Sequence, residues 1–300
     1  MNMNKLLSPK ELAEAIGVSE SSLKRWADSG LIQYSRTVGG HRRITLNEAI
    51  RYIRESRTPV VRPEVLGIPD LSLFAEPPAP GTEADQLYRA LVEGRAAEAR
   101  GLLLWLYLSG RGVAELLDGP LQEALARLGA LWQHDEEGIF LEHRATDICL
   151  QAINQLRLTL PISDRGPLAI GAAPAGDPYI IPSTAAALVL GSLGFRAVNL
   201  GPNTPFETLR LAAENQRPRL VWLSVSHVEE PDAVKRGLAA LEAKLEELGI
   251  HLAVGGRHGH LLTAGVGPRV FCGASMTELA AFARGLLAAE APADEPKETR

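Results

Sequence analysis

Cysteine is scarce in this chain. There are two in 300 residues, Cys149 and Cys272, which is too few for a disulfide framework or a thiolate metal cage, so a cytoplasmic location is expected. The sequence also lacks any apolar run near the roughly 18–20 residues that cross a bilayer, and its start, MNMNKLLSPK, has no apolar signal segment. These absences argue against secretion and membrane insertion. The 46% hydrophobic content still predicts folded domains with buried cores.

Acidic residues are outnumbered by basic residues only in the N-terminal part of the chain. Residues 1–57 carry ten Lys/Arg and six Asp/Glu, a net +4, whereas the rest of the chain carries 21 and 30, a net −9. A small basic head therefore precedes a larger acidic body. This asymmetry indicates nucleic-acid contact at the N-terminal end.

The first segment, SPKELAEAIGVSESSLKRWADSG, predicts two short helices joined by a tight turn. Ser8 and Glu11 form a capping box around Pro9, and Ser19 caps the second helix. With Leu23, Trp26 and Ala27 inward, the second helix points polar and basic residues outward. This is the helix-turn-helix pattern, and the residues expected to meet DNA are Ser21, Ser22, Lys24 and Arg25.

A basic hairpin follows. LIQYSRTVGGHRRI contains two strand-like pieces around Gly39-Gly40, and TLNE restarts a helix with a second capping box at Thr45 and Glu48. Helix-turn-helix, basic wing and helix together resemble the MerR family of regulators. That resemblance implies a double-stranded DNA operator as partner, with His41, Arg42 and Arg43 against phosphate and Arg36 nearby.

The next two segments differ sharply in composition. Residues 58–83 contain six prolines and predict a partly extended linker. Apolar residues recur at helical spacing over 84–162 and predict a four-helix bundle. Residues 291–300 predict a disordered tail.

Residues 165–290 alternate strands and helices. Short apolar runs such as LAIGAA, RLVWLSVS and HLAVGG are typical of buried parallel strands. Five such units predict an α/β, flavodoxin-like five-stranded parallel sheet, in which ligands bind beyond the carboxyl ends of the strands. One intervening helix is predicted to begin with a third capping box, TPFE, at 204–207.

In this order, the three parts resemble MerR-type regulators with a C-terminal cobalamin-binding domain, the light-responsive repressors of the CarH/LitR type. The resemblance implies cobalamin as cofactor and a homo-oligomer, dimer or tetramer. It also implies cofactor contacts from a Trp and a Glu-His pair of the bundle and from three motifs of the sheet domain. The matching residues are Trp132, Glu142, His143, Asp177, Tyr179, Ser224, Ser226, Gly255 and Gly256.

Two positions depart from that family. Its cobalt-ligating histidine is replaced by Tyr179, and the histidine after the bundle tryptophan is replaced by Gln133. A neutral phenol lacks the free nitrogen lone pair that makes imidazole a good cobalt ligand. We therefore expect no metal ligand among the site residues, although His134 is adjacent to Gln133 and His227 is a further histidine of the sheet domain.

The resulting prediction is a DNA-binding regulator, not an enzyme and without catalytic residues, whose histidine-ligated cobalamin sensing is lost or altered. As alternatives to cobalamin, the domain binds another tetrapyrrole or no cofactor. Two alternative functions remain at this stage. One is a working adenosylcobalamin-dependent light switch, and the other is a component of a corrinoid-dependent methyltransferase.

Overall fold

A computed structural model describes residues 5–74, 76, 78–131, 136–161, 165–262 and 267–289. The chain separates into two compact units, Met1–Ile162 and Ser163–Arg300. The first unit holds the basic head and the helical bundle, and the second holds the parallel sheet. The predicted C-terminal tail lies outside the described residues.

The head is a winged helix-turn-helix. Its elements are β1 (Leu6–Leu7), α1 (Pro9–Ala15), α2 (Glu20–Asp28), β2 (Ser35–Arg36), β3 (Arg42–Thr45) and α3 (Leu46–Ser56), with sheet order β1-β3-β2. The Ser8–Glu11 capping box is present. Thr45 caps α3 as predicted, but Glu48 accepts the backbone N–H of Gln33 at 2.6 Å and pairs with Arg51, so the second capping box is only half formed.

The proline-rich segment after the head is folded onto the first unit. It contains α4 (Pro63–Leu66) and a 3₁₀ helix (Pro69–Phe74), and Leu66, Ile68 and Leu71 are buried. The carbonyl of Asp70 lies so close to α6 that a Cβ at Gly101 would overlap it. The expectation of a partly extended linker was wrong because Pro63 and Pro69 start short helical turns and the aliphatic residues between them are buried.

The bundle follows the predicted helical pattern. Its elements are α5 (Glu83–Val92), α6 (Ala96–Leu108), α7 (Val113–Leu116), a π-helical turn (Leu117–Leu121), α8 (Gln122–Leu131) and α9 (Glu136–Thr159). Helix α6 is apolar on most of its surface because it is enclosed by neighbouring helices. Arg54 of α3 links the head to α6: it donates to the carbonyl oxygens of Tyr107 and Arg111, and its guanidinium lies 3.6 Å from the Tyr107 ring centroid.

The two cysteines differ in reactivity. Cys149 is buried in the bundle, where burial raises the pKa of its thiol to about 12, whereas Cys272 is exposed. Because the thiolate is the reactive form, an aromatic disulfide reagent is expected to modify Cys272 alone in the native protein and both cysteines after unfolding. Labelling of Cys149 at a comparable native rate would show that the bundle core is open.

The second unit is a doubly wound parallel sheet. Its strands are β4 (Leu168–Ala172), β5 (Arg196–Asn199), β6 (Leu220–Ser224), β7 (His251–Gly255) and β8 (Val270–Cys272), in the order β5-β4-β6-β7-β8. Its helices are α10 (Ile180–Ser192), α11 (Phe206–Gln216), α12 (Pro231–Glu247), α13 (Gly259–Leu262) and α14 (Met276–Ala288). This confirms the flavodoxin-like prediction, and the strand order reverses between β4 and β6, where such sheets bind ligands.

Each face of the sheet has its own core. Helices α11 and α12 cover one face and α10 and α14 the other. The predicted capping box at TPFE is wrong: α11 begins at Phe206, and Thr204 donates its hydroxyl hydrogen to the Gly201 carbonyl instead of capping the helix. Among the described residues, no helix is long and apolar enough to cross a membrane.

Candidate DNA-binding surface and ligand-binding edge

Helix α2 presents the polar face that the sequence predicts. Leu23 and Ala27 are buried, so Ser21, Lys24 and Arg25 are exposed on the opposite side. The Ser19 hydroxyl accepts the backbone N–H of Ser22 and lies 2.9 Å from the hydroxyls of Ser21 and Ser22. The two serines therefore share their hydroxyl groups with the helix cap, and the Ser22 hydroxyl also accepts a hydrogen bond from Arg25 at 3.4 Å.

The wing is a short hairpin held by local contacts. Arg36 and His41 are exposed, and Gly40 at its tip has φ +78°, a left-handed conformation that suits glycine. Tyr34 was missed at the sequence level. Its ring lies 5.6 Å from the guanidinium of Arg36 and 4.9 Å from that of Arg42, so it orients both arginines.

The basic residues divide into paired and unpaired groups. Lys24 pairs with Glu20 at 2.7 Å, and Arg42 donates to Asp28 at 2.6 Å and to the Lys24 carbonyl at 3.2 Å. Within the part of the chain that the structure describes, the other predicted arginines have no carboxylate at ion-pair distance. These are Arg25, Arg36 and Arg43, the side chains best placed to neutralise an external anion.

Arg42 connects the wing to α2 through these two contacts. The sequence predicted only a phosphate contact for this residue. We expect Arg42→Ala and Asp28→Asn each to weaken DNA binding by roughly three- to tenfold, because either change releases a tie worth on the order of 1 kcal/mol. Fluorescence anisotropy with labelled duplex DNA measures this. Tighter binding by Asp28→Asn would instead show that the aspartate competes with phosphate for Arg42.

In the second unit, Asp177 joins the two loops at the switch point. Its carboxylate is fully buried and accepts the backbone N–H groups of Tyr179 at 3.0 Å, Ser226 at 2.5 Å and His227 at 3.1 Å. The loop after β4 is thereby fixed to the loop after β6. The aspartate that the sequence marks as a site residue thus organises the edge by holding backbone amides.

Tyr179 and His227 face solvent together at this edge. Tyr179 is the N-cap residue of α10 and is 42% exposed, and its ring centroid lies 6.5 Å from that of His227. The Nε2 atom of His227 is 3.7 Å from a Glu229 carboxylate oxygen. Within the described residues, no three His, Cys, Asp or Glu side chains form a group that could hold a metal ion.

The remaining predicted residues of the sheet lie at the same edge with different surroundings. Ser224 is buried at the end of β6. A Cβ at Gly255 would meet only the Gly273 carbonyl, at 3.4 Å, whereas one at Gly256 would lie 2.5 Å from the Val225 carbonyl oxygen. Gly256 is therefore required by backbone packing, and Gly255 leaves space for a ligand.

Two asparagines contribute to this edge without having been predicted. Asn199 accepts the Ser183 hydroxyl at 2.6 Å and the Gly201 N–H at 3.1 Å, and Asn203 accepts the Gly176 N–H at 3.1 Å. Asn203 has φ +53°. The GPNTP segment following an apolar strand was the available signal, because asparagine tolerates this conformation better than most residues.

Helix α9 of the first unit carries the Glu-His pair. His143 is exposed, and its Nδ1 lies 2.8 Å from the Ile139 carbonyl oxygen and 3.3 Å from a Glu142 carboxylate oxygen. Ile139 and Phe140, one turn earlier, are 45% and 58% exposed. The helix thus presents apolar and polar groups outward together. Trp132, Gln133 and His134 lie outside the described residues.

Comparison with known proteins assigns the parts in the same order. A helix-turn-helix domain model matches residues 6–57, and a B12 binding domain model matches residues 83–157. The chain is similar to the HTH-type transcriptional repressor CarA of Myxococcus xanthus, with 24% identity over 229 residues that cover 74% of this chain and 77% of that protein.

Among solved structures, the chain resembles the monomethylamine corrinoid protein of Methanosarcina barkeri. The TM-score is 0.55 at 18% identity, over 69% of this chain and 100% of that one. This likeness shows the fold. Together with the two domain models, it shows that the chain joins a helix-turn-helix domain to a domain of B12-binding type.

Proposed function

We propose that the protein is a DNA-binding regulator of transcription with a MerR-type head. The observation that carries the proposal is a set of three arginines of α2 and the wing that have no carboxylate at ion-pair distance among the described residues. Arg25 and Arg36 are exposed, and Arg43 is half-buried. Arginines that are not neutralised internally bind phosphate most favourably, since no carboxylate has to be displaced. Similarity to a named transcriptional repressor supports this role over an enzymatic one.

The second part of the proposal concerns the effector. A corrinoid at the carboxyl edge of the sheet is favoured by the strand-order reversal between β4 and β6, by the Asp177-anchored loops and by the open space at Gly255. The donor set does not fit histidine ligation at position 179, because that position offers a phenol. We therefore infer that a corrinoid is held here without a cobalt bond from position 179.

A separate observation, on helix α9, supports the binding of a planar apolar ligand. Ile139 and Phe140 expose hydrophobic surface beside Glu142 and His143, the pair that the resemblance assigns to the cofactor. Adjacent exposed apolar side chains on one helix are typical of a surface that a ligand or partner covers. This is the reason to favour retained corrinoid binding over complete loss of the effector site.

We further propose that the protein acts as a homo-oligomer on a two-fold symmetric operator, because helix-turn-helix dimers read paired half-sites. The proposed function is tested by selecting duplexes from a random library with the purified protein and measuring anisotropy on the selected sequence, with and without adenosylcobalamin, in darkness and after illumination. Enrichment of a paired motif is expected. Failure to enrich any duplex would contradict the regulatory role. Release of the duplex on illumination only when adenosylcobalamin is present would favour the light-switch alternative.

A further inference from the structure

Trp222 fills the space between the sheet and two of its helices. It is 2% exposed and lies in the core formed with Ala186 and Leu190 of α10 and Ala283 of α14. In the sheet it pairs in register with Gly171 of β4 and Ala253 of β7. The two strand neighbours of Trp222 are glycine and alanine, and their small size leaves the space that the indole occupies.

The contact with Gly171 is especially close. A Cβ added at Gly171 would overlap the indole ring, so even alanine has no room there while Trp222 is present. The indole Nε1 is buried and has no hydrogen-bond partner among the residues that the structure describes. An aliphatic side chain would avoid that unpaired donor, so the volume and bicyclic shape of the indole are what this position requires.

Trp222 also lies below the candidate ligand edge. Ser224, two residues further along β6, points to the same face, since side chains alternate along a strand, and is nearer the carboxyl end by about 7 Å. Tyr179 caps the N-terminus of α10, the helix that packs on this same face. A ligand segment that passed position 179 and Ser224 into the interior would therefore meet the indole.

We propose that Trp222 closes an interior slot, so that the ligand of this domain binds at the carboxyl edge without a buried bicyclic tail. This inference rests on the proposed corrinoid function, because the nucleotide tail of a cobalamin ends in dimethylbenzimidazole, a bicyclic aromatic group close in size to an indole. In this chain the indole fills the interior below Ser224 that such a ring would have to enter. A corrinoid bound here keeps its tail outside, and a corrinoid that lacks the tail binds equally well.

The slot is tested first on the protein without corrinoid, using 5,6-dimethylbenzimidazole as the probe. The melting temperature of the wild type is expected to stay unchanged, whereas that of Trp222→Ala rises by roughly 5 °C at a hundredfold excess over Kd, because the probe refills the cavity. Leu223→Ala, the next residue on the opposite face, is the matched control and should not respond.

Two outcomes of this melt overturn the proposal. One is a saturable rise in the melting temperature of the wild type, which would show an open slot. The other is a folded Trp222→Ala that the probe leaves unchanged, which would show that the indole does not occupy a ring-sized space. If Trp222→Ala does not fold, Trp222→Leu with unsubstituted benzimidazole replaces it and is judged by the same two results.

The corrinoid measurement is separate. Wild-type Kd values for cobinamide, which lacks the nucleotide tail, and for cobalamin are expected to agree within about threefold, and Trp222→Ala should shift the preference at least tenfold toward cobalamin. A tenfold or larger preference of the wild type for cobalamin would overturn the closed slot. Binding of neither corrinoid would refute the proposed effector, while the benzimidazole melt would still decide the state of the slot.

Discussion

The combined variant Arg25→Ala, Arg36→Ala and Arg43→Ala is expected to flatten the dependence of log K on log salt concentration by about three units. Each arginine that meets a phosphate releases close to one counterion, so each contributes about 0.9 to the slope. The affinity at low salt should fall by several orders of magnitude, because these three arginines of α2 and the wing have no carboxylate at ion-pair distance among the described residues and are expected to contact phosphate directly. Anisotropy titrations over a series of salt concentrations measure both effects.

The control for this triple variant removes three positive charges outside the head. Lys235, Arg236 and Arg284 are exposed in the second unit, and their replacement by alanine lowers the net charge equally. This variant should keep the wild-type slope, which separates local phosphate contacts from a general change in charge. A wild-type slope in the Arg25/Arg36/Arg43 variant would remove α2 and the wing from the DNA interface.

Tyr179→His is expected to create a histidine-ligated site for cobinamide. The position is 42% exposed at the ligand edge, and the Asp177 carboxylate already accepts its backbone N–H. An imidazole there supplies the nitrogen donor that the phenol lacks, so the variant should bind cobinamide at least tenfold more tightly than the wild type, about 1.4 kcal/mol, with an altered absorption spectrum.

Tyr179→Phe is the control for this change, since it keeps the ring and adds no donor. Complete cobalamin should gain histidine ligation only when Tyr179→His is combined with Trp222→Ala. The histidine must displace the dimethylbenzimidazole base of cobalamin from cobalt, and only the double variant has an interior space for that base. Histidine ligation of cobalamin by the single variant would show that the tail is accommodated without opening the slot. A Tyr179→His variant whose affinity and spectrum match those of Tyr179→Phe would show that position 179 does not face the metal.

Much of the fold follows from local sequence signals. Pro9 between Ser8 and Glu11 predicts the start of α1, and the structure forms that cap. The apolar runs RLVWLSVS and HLAVGG predict strands of a parallel sheet, and β6 and β7 lie within them. These signals are reliable because a helix cap depends on residues close in sequence, and a buried strand is marked by its own apolar side chains.

Contacts between distant segments were not predictable in the same way. The pairing of Arg42 with Asp28 depends on where the wing lies against α2, which residue spacing does not specify. The burial of Leu66 and Ile68 depends on a surface supplied elsewhere in the first unit. At the ligand edge, Asp177 and Tyr179 were identified by motif, but the backbone amides that Asp177 holds come from a loop about 50 residues away.

The most direct test of the account is the electron paramagnetic resonance spectrum of cobalt(II) cobalamin bound to wild-type protein labelled with ¹⁵N-histidine. Coupling to an axial nitrogen splits each cobalt line into a triplet for ¹⁴N and a doublet for ¹⁵N. We expect a bound corrinoid whose line shape is unchanged by the label, because the proposal is that no imidazole of the chain holds the metal. A doublet that disappears in His227→Ala, or the absence of any bound corrinoid, would contradict it.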